Sequence, residues 1–215
     1  MLNDLIRKVL WDLALKRTLN KNDLEILGIT DESNPALIVS TALRNGFQLN
    51  EILEILTWQN FELIVAGVYE LNNFFTIRNL HFTLQNKRNE IDIIAIRDKY
   101  VHVIECKHWI KTRISGNISR IVNNHLSKML LFKNIAGKIL APLISNKSII
   151  ILIPVIVIPP KSVPEYVAGI PIVTLYQLQD FIDKFEDYMD EIEHIPIKLP
   201  KTLQKAHDFN HGMNA

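Results

Sequence analysis

The sequence predicts an α/β fold, and three observations carry that prediction. Apolar residues recur at helical spacing in several segments, while Ile- and Val-rich runs of strand length lie between them. After a group of short N-terminal helices, the order is helix, strand, strand, strand, helix, strand, strand, helix. Helices flanking a mixed central sheet bury both kinds of segment.

The elements follow in order. Residues 2–17 carry Leu2, Leu5, Ile6, Val9, Leu13 and Leu15 at roughly helical spacing. Asn20 and Asn22 can cap a helix ending near Gly28. Ser33, Asn34 and Pro35 open another that stops at Gly46, and Asn50 starts a short piece through Leu56. These helices could read DNA as a helix-turn-helix, form a dimerisation arm or act as a lid; no basic recognition helix is visible among them. Thr57 caps a helix to about Asn72, with Trp58, Phe61, Val65, Val68 and Tyr69 on its apolar side. Glu62 lies at i+4 from Trp58 and points to that side. Strands follow at 74–84 and on both sides of Asp98-Lys99, then a long amphipathic helix from about Asn117 to Leu140. That helix is expected to bury Ile118, Ile121, Val122, Met129 and Ile135, and to expose Arg120, Lys128 and Lys138. A buried strand at 148–158, a short strand at 169–175 and a helix at 176–192 complete the pattern. The chain from His194 reads as loosely held.

Length and composition set the frame. A chain of 215 residues can form one well-cored domain plus a smaller appendage. The expected division is a helical region at 1–56, a main domain at 57–192 and a tail at 193–215. With 48% hydrophobic and 22% charged residues, the chain is not of the disordered class. The single Cys106 excludes an intramolecular disulfide and a cysteine zinc site, which suits a reducing interior. The N-terminus lacks the apolar core of a signal peptide. The run IIILIPVIVIPP (149–160) contains prolines and is too short to span a bilayer as a helix. The expectation is a soluble cytoplasmic protein without a membrane partner.

Charge is unevenly distributed. Residues 76–150 hold 13 Lys and Arg against 4 Asp and Glu, a local +9 in a chain of net charge +1. Such a cluster is a footprint for polyanions, or a solvated surface that favours lysine.

The stretch NEIDIIAIRDKYVHVIECKHW places Glu90, Asp92, Glu105 and Lys107 among strands otherwise suited to burial. Ionised groups at such positions cost stability unless paired or bound to a metal. A hairpin with Asp98-Lys99 at its tip pairs residues whose numbers sum to 197, so Ile96 meets Val101 and Ile94 meets Val103. Extending that register sets Asp92 opposite Glu105 and Glu90 opposite Lys107, all on one face. Opposed Cβ atoms lie about 4.5–5.5 Å apart, where like charges repel. A divalent cation between the carboxylates removes the repulsion, and hard oxygen donors suit Mg²⁺ or Mn²⁺ over zinc. An odd-length loop would instead place Asp92 opposite Cys106. A surface ion-pair ladder is the competing reading.

These residues resemble the signature of the PD-(D/E)XK nucleases: an Asp near the end of one core strand, E-x-K on the next, and often a Glu on a preceding helix. Asp92, the run Glu105-Cys106-Lys107, and Glu62 in TWQNFE stand at those places, with Ile91 where the family name has proline. The resemblance covers roughly residues 57–192 and looks nearest to the branch holding Holliday-junction resolvases and Mrr-like restriction endonucleases. It implies a restriction-endonuclease-like αβββαβ core with an N-terminal helical extension, and metal-dependent DNA hydrolysis leaving a 5′-phosphate. Asp92 and Glu105 would hold the metal, with the backbone carbonyl of Cys106 as a third ligand and Glu62 as an outer or second-metal ligand. Lys107 would orient water or stabilise transition-state charge. Glu90 is an accessory, or a salt-bridge partner of Lys107.

Lys111, Arg113, Arg120 and Lys128 are the candidate DNA contacts. His102 and His108 fall on the opposite face and read as core or partner-facing residues. Trp58 and Trp109 read as packing residues that could stack on bases. Cys106 reads as a small buried apolar residue. The competing functions are a non-cleaving nucleic-acid-binding module on the same fold and an assembly protein binding an acidic partner. A homodimer is expected, since duplex and junction substrates present two strands to a chain with a single candidate site.

Overall fold

The computed structural model describes residues 1–32, 34–84, 86–107, 118–144, 147–159 and 165–200. Four short helices come first: α1 (Leu2–Ala14), α2 (Lys21–Ile26), α3 (Pro35–Arg44) and α4 (Leu49–Ile55). Their starts are set by side chains that satisfy the first free amides. Asn20 accepts from the amides of Asn22 and Asp23. Asn34 accepts from Ala36 at 2.9 Å, with Pro35 at the first helical position. Helix α4 opens at Gln48 rather than Asn50, the Gln48 amide donating to Glu51.

Helix α5 (Trp58–Leu71) begins with a capping box between Thr57 and Asn60. The Asn60 side chain also donates to the carbonyl of Leu13 at 3.2 Å, fastening α5 to the end of α1. Near its other end, the Gly67 carbonyl accepts from Asn34 at 3.1 Å. A Cβ on Gly67 would stand 2.2 Å from the Asn34 side-chain oxygen, so this approach requires glycine.

Among the described residues the sheet has seven strands: β1 (Phe75–Leu84), β2 (Lys87–Arg97), β3 (Tyr100–Cys106), β4 (Ile149–Ile158), β5 (Tyr166–Val167), β6 (Ile170–Thr174) and β7 (Ile195–Lys198). Their spatial order is β1-β2-β3-β4-β6-β5, with β7 also on β4. Strands β1, β2 and β3 form an antiparallel meander. Helix α6 (Ile118–Leu140) then lies between β3 and its parallel neighbour β4, as a parallel crossover requires. Helix α7 (Leu178–Lys184) runs into a 3₁₀ turn over Phe185–Tyr188.

Two hydrophobic layers result. On one side, Ile93, Ala95, Ile104 and Val155 of the sheet pack with Phe61, Ile64 and Tyr69 of α5, and with Ile6, Leu10, Ile38 and Ile52 of the N-terminal helices. On the other, Ile94, Ile96, Val101 and Leu152 pack with Met129, Phe132 and Ala136 of α6. The α/β class and the central elements agree with the sequence reading.

Three expectations are corrected. The chain after His194 is not a loose tail throughout, because Ile195 and Ile197 are buried in β7 against β4. Pro196 is tolerated there because β7 is a short strand paired through β4 alone. The last helix ends at Lys184 and tightens into the 3₁₀ turn. Trp58 is 53% exposed rather than packed. Among the described residues no helix is long and apolar enough to cross a membrane.

Candidate active site

The β2–β3 hairpin has the register inferred from its composition. Arg97 pairs with Tyr100, Ile96 with Val101, Ile94 with Val103 and Ile93 with Ile104. Asp98 at the tip takes the left-handed conformation (φ 56°), which Asp tolerates better than most residues. Beyond Ile93 the ladder stops.

The break centres on Asp92. Asn79 on β1 is left-handed (φ 53°), and Asn79 and Asp92 drop out of the β1–β2 pairing. Ile91 packs on the α6 side with Ile94, whereas Ile93 packs on the α5 side. The strict alternation that would place all four polar residues on one face therefore fails at this point. The two strands part, and the Asp92 carboxylate fills the gap by accepting from the Cys106 amide at 2.8 Å.

Glu105, one residue earlier on β3, is only 6% exposed. Its two oxygens are each held by an ammonium, Oε1 by Lys107 and Oε2 by Lys128. His125 of α6 stands behind, its Nδ1 3.8 Å from Glu105 Oε2 and its Nε2 donating to the Val103 carbonyl at 2.9 Å. Lys128 also donates to the carbonyl of Glu90 at 3.1 Å, so α6 bridges the open ends of β2 and β3. Glu62 approaches from α5, 8% exposed.

The electrostatics record this crowding. Burial pushes the Glu62 carboxyl up to about 7, and the carboxylates of Asp92, Glu90 and Glu105 add to the rise. Asp92 is raised too, first by burial and then by Glu105, against the Cys106 hydrogen bond. Burial alone would raise Glu105, but Lys128 and Lys107 together outweigh it and hold the carboxyl below its usual value. Burial drives His125 down to about 4, so the ring is neutral at pH 7.

Asp92 and Glu105 are hard oxygen donors of the kind a divalent cation takes, and Glu62 lies near enough for their charges to raise its carboxyl. Among the described residues, no three His, Cys, Asp or Glu side chains are already grouped closely enough to hold an ion. Glu105 is occupied by lysines and Asp92 by an amide.

Other expected residues fall as follows. Glu90 pairs with His81 of β1 at 3.8 Å and not with Lys107, because the β2–β3 ladder ends before reaching them. Cys106 is buried on the α5 side, 7% exposed. His102 is a core residue, bonded to the Tyr69 hydroxyl at 3.0 Å and edge-on to Phe185. Arg120 is exposed on the first turn of α6. Lys111, Arg113, His108 and Trp109 lie outside the described residues. Lys128, expected on the exposed face of α6, instead reaches into the site. His125 was overlooked, although a polar residue in line with Ile121, Val122, Met129 and Phe132 on an apolar stripe was a signal available from sequence.

A groove of about 520 Å³ opens over this site, lined by Lys87, Arg88, Glu105, Lys107, Asn124 and Lys128 among others.

Residues 57–159 match the family model described as NERD, nuclease-related domain. No curated protein matches the chain. Two solved structures are similar in part. One, a protein of unknown function, AF1548, is 18% identical with a TM-score of 0.36, the match covering 55% of this chain and 58% of that one. The other, protein VC1899 from Vibrio cholerae, is 15% identical with a TM-score of 0.38, covering 88% and 52%. The chain thus matches little more than half the length of either.

Proposed function

We propose, from the match of residues 57–159 to the nuclease-related domain model and the likeness of the site to the PD-(D/E)XK signature, that the protein is a metal-dependent DNA endonuclease. The observation that carries this reading is the meeting of Asp92, Glu105 and Lys107 where β2 and β3 part, with Glu105 and Lys107 lining a groove with basic walls.

Asp92 and Glu105 would hold Mg²⁺ or Mn²⁺, with the Cys106 carbonyl as a third ligand and Glu62 as an outer one. The metal would supply a water of lowered pKa and neutralise charge on the phosphate. Lys107 holds its ammonium at Glu105, where it can orient the attacking water and offset charge on the transferring phosphoryl group. Attack of water on phosphorus would break the bond to the 3′ oxygen, the water losing a proton and the leaving oxygen gaining one, to give a 5′-phosphate and a 3′-hydroxyl. The Asp92–Cys106 hydrogen bond ties one ligand to the backbone of the other strand and limits reorganisation. Glu62, protonated up to about pH 7, can give up its proton as cationic charge enters the site. Lys87 and Arg88 on the groove wall, with Arg120, Lys111 and Arg113, would contact phosphates.

Plasmid and synthetic four-way junctions incubated with the protein test the reading. Nicking or linearisation that needs Mg²⁺ and is lost with EDTA is expected. Salt-sensitive DNA binding without cleavage in any divalent ion would favour a non-cutting module, and no binding at all would point to an acidic protein partner.

A further inference from the structure

Glu105 has no oxygen to spare. Lys107 holds Oε1 and Lys128 holds Oε2, in a side chain only 8% exposed. Lys128 also donates to the Glu90 carbonyl at 3.1 Å. Its ammonium therefore lies between two oxygens, one from each of the parting strands. Partly buried hard oxygens are also what a divalent cation selects.

The two lysines are anchored differently. Lys107 follows Glu105 by two residues, and its amide is fixed to the Val157 carbonyl at 2.9 Å, so it is rooted beside the carboxylates on the same strand end. Lys128 is rooted on α6 across the groove, beside Asn124, Ser127 and Leu131, and can turn into the open volume. A doubly charged ion entering at Glu105 repels both ammoniums, and withdrawal of Lys128 frees the Glu90 carbonyl together with Glu105 Oε2.

We propose that Lys128 is a placeholder for the cation: it positions Glu105 before metal binds, is displaced by the ion, and then takes a phosphate oxygen of nucleic acid in the groove. This rests on the metal-dependent reading above. Metal and nucleic acid then reinforce each other's binding through one side chain, and the coupling is reciprocal.

Three measurements test it. In Mn²⁺ titration calorimetry, Lys128→Met should bind the ion about tenfold more tightly or better, since a competing unit charge has gone. With Ca²⁺ and a fluorescent duplex, the wild-type protein should bind DNA more tightly than in EDTA. Lys128→Met should lose most of that gain, and Lys128→Arg should restore part of it. In the unmutated protein, Ca²⁺ should raise reductive methylation of Lys128 severalfold, read by mass spectrometry, while exposed Lys133 on the same helix stays constant. That last measurement needs no variant to fold. Asp92-dependent metal binding with unchanged Lys128 labelling would overturn the placeholder alone. Metal binding insensitive to Asp92→Asn would overturn the site assignment beneath it.

Discussion

The Cys106 amide donates to Asp92 across the gap where β2 and β3 separate, so a carboxylate takes the place of the next backbone pair. The bond fixes Asp92 beside Glu105 and makes the two carboxylates act on each other, raising the first. Asp92→Asn keeps the hydrogen-bond acceptor and removes the charge. Asp92→Asn and Glu105→Gln should each abolish cleavage while leaving DNA binding largely intact. Gel-based cleavage and fluorescence anisotropy on the same preparations check this; wild-type cleavage rates in both variants would refute the assignment.

Glu62 gives a prediction measurable without metal. Its folded pKa, about 7, lies above the ordinary value of 4.5, so between those limits the unfolded chain releases a proton that the folded protein keeps. Stability should therefore fall as pH rises from about 4.5 to 7 and level off above. Glu62→Gln should remove this loss, being more stable than the wild-type protein at pH 8 by about 1–3 kcal/mol and nearly equal to it at pH 4. Urea melts across that range provide the comparison. The neutral core ring of His102, depressed to about 3 by burial, pulls the other way: its cost appears as pH falls below about 6.5.

The +9 segment carries the DNA prediction. Charge reversal at Lys111, Arg113 and Arg120 should weaken binding and flatten its salt dependence, since each lost phosphate contact removes about 0.9 from the slope of log affinity against log salt. An unchanged slope would place the DNA path elsewhere.

Asn34 and Gly67 interlock α3 with α5, leaving no room for a methyl group. Gly67→Ala should cost about 1–3 kcal/mol from overpacking. Asn34→Ala should relieve part of the clash, so the double variant should lose less than the sum of the two single losses. A denaturation cycle giving simple additivity would show that the contact is not the constraint.

Cutting two strands with a single candidate site is simplest for a two-fold dimer. Sedimentation should give a mass near twice 24.8 kDa. A mass near one chain, at concentrations where both strands are cut, would rule the dimer out.

Much of the sheet could be read from sequence because period two and a short polar tip leave few registers for strands this apolar. The pairing of Ile94 with Val103 and Ile96 with Val101 follows directly. The same rule failed beyond Ile93. Alternation assumes a continuous ladder, and the left-handed Asn79 with the side-chain bond of Asp92 interrupts it. Lys128 was misread because it flanks the apolar stripe of α6, and its long stem carries the ammonium inward past Leu131. Strand β7 was missed because Pro196 and its place after the last helix disguised the burial of Ile195 and Ile197.

The matched nuclease-related segment runs from 57 to 159, yet the physical core ignores both limits. Helix α5 inside the segment is bonded to Leu13 and Asn34 outside it, and the outer edge of β4 is covered by β6 and β7, which come later. Lifted out alone, the segment would lay bare Phe61, Ile64 and the flank of β4. The segment therefore depends for its cover on residues before 57 and after 159. Any protein that carries such a segment must supply its own cover for these two faces.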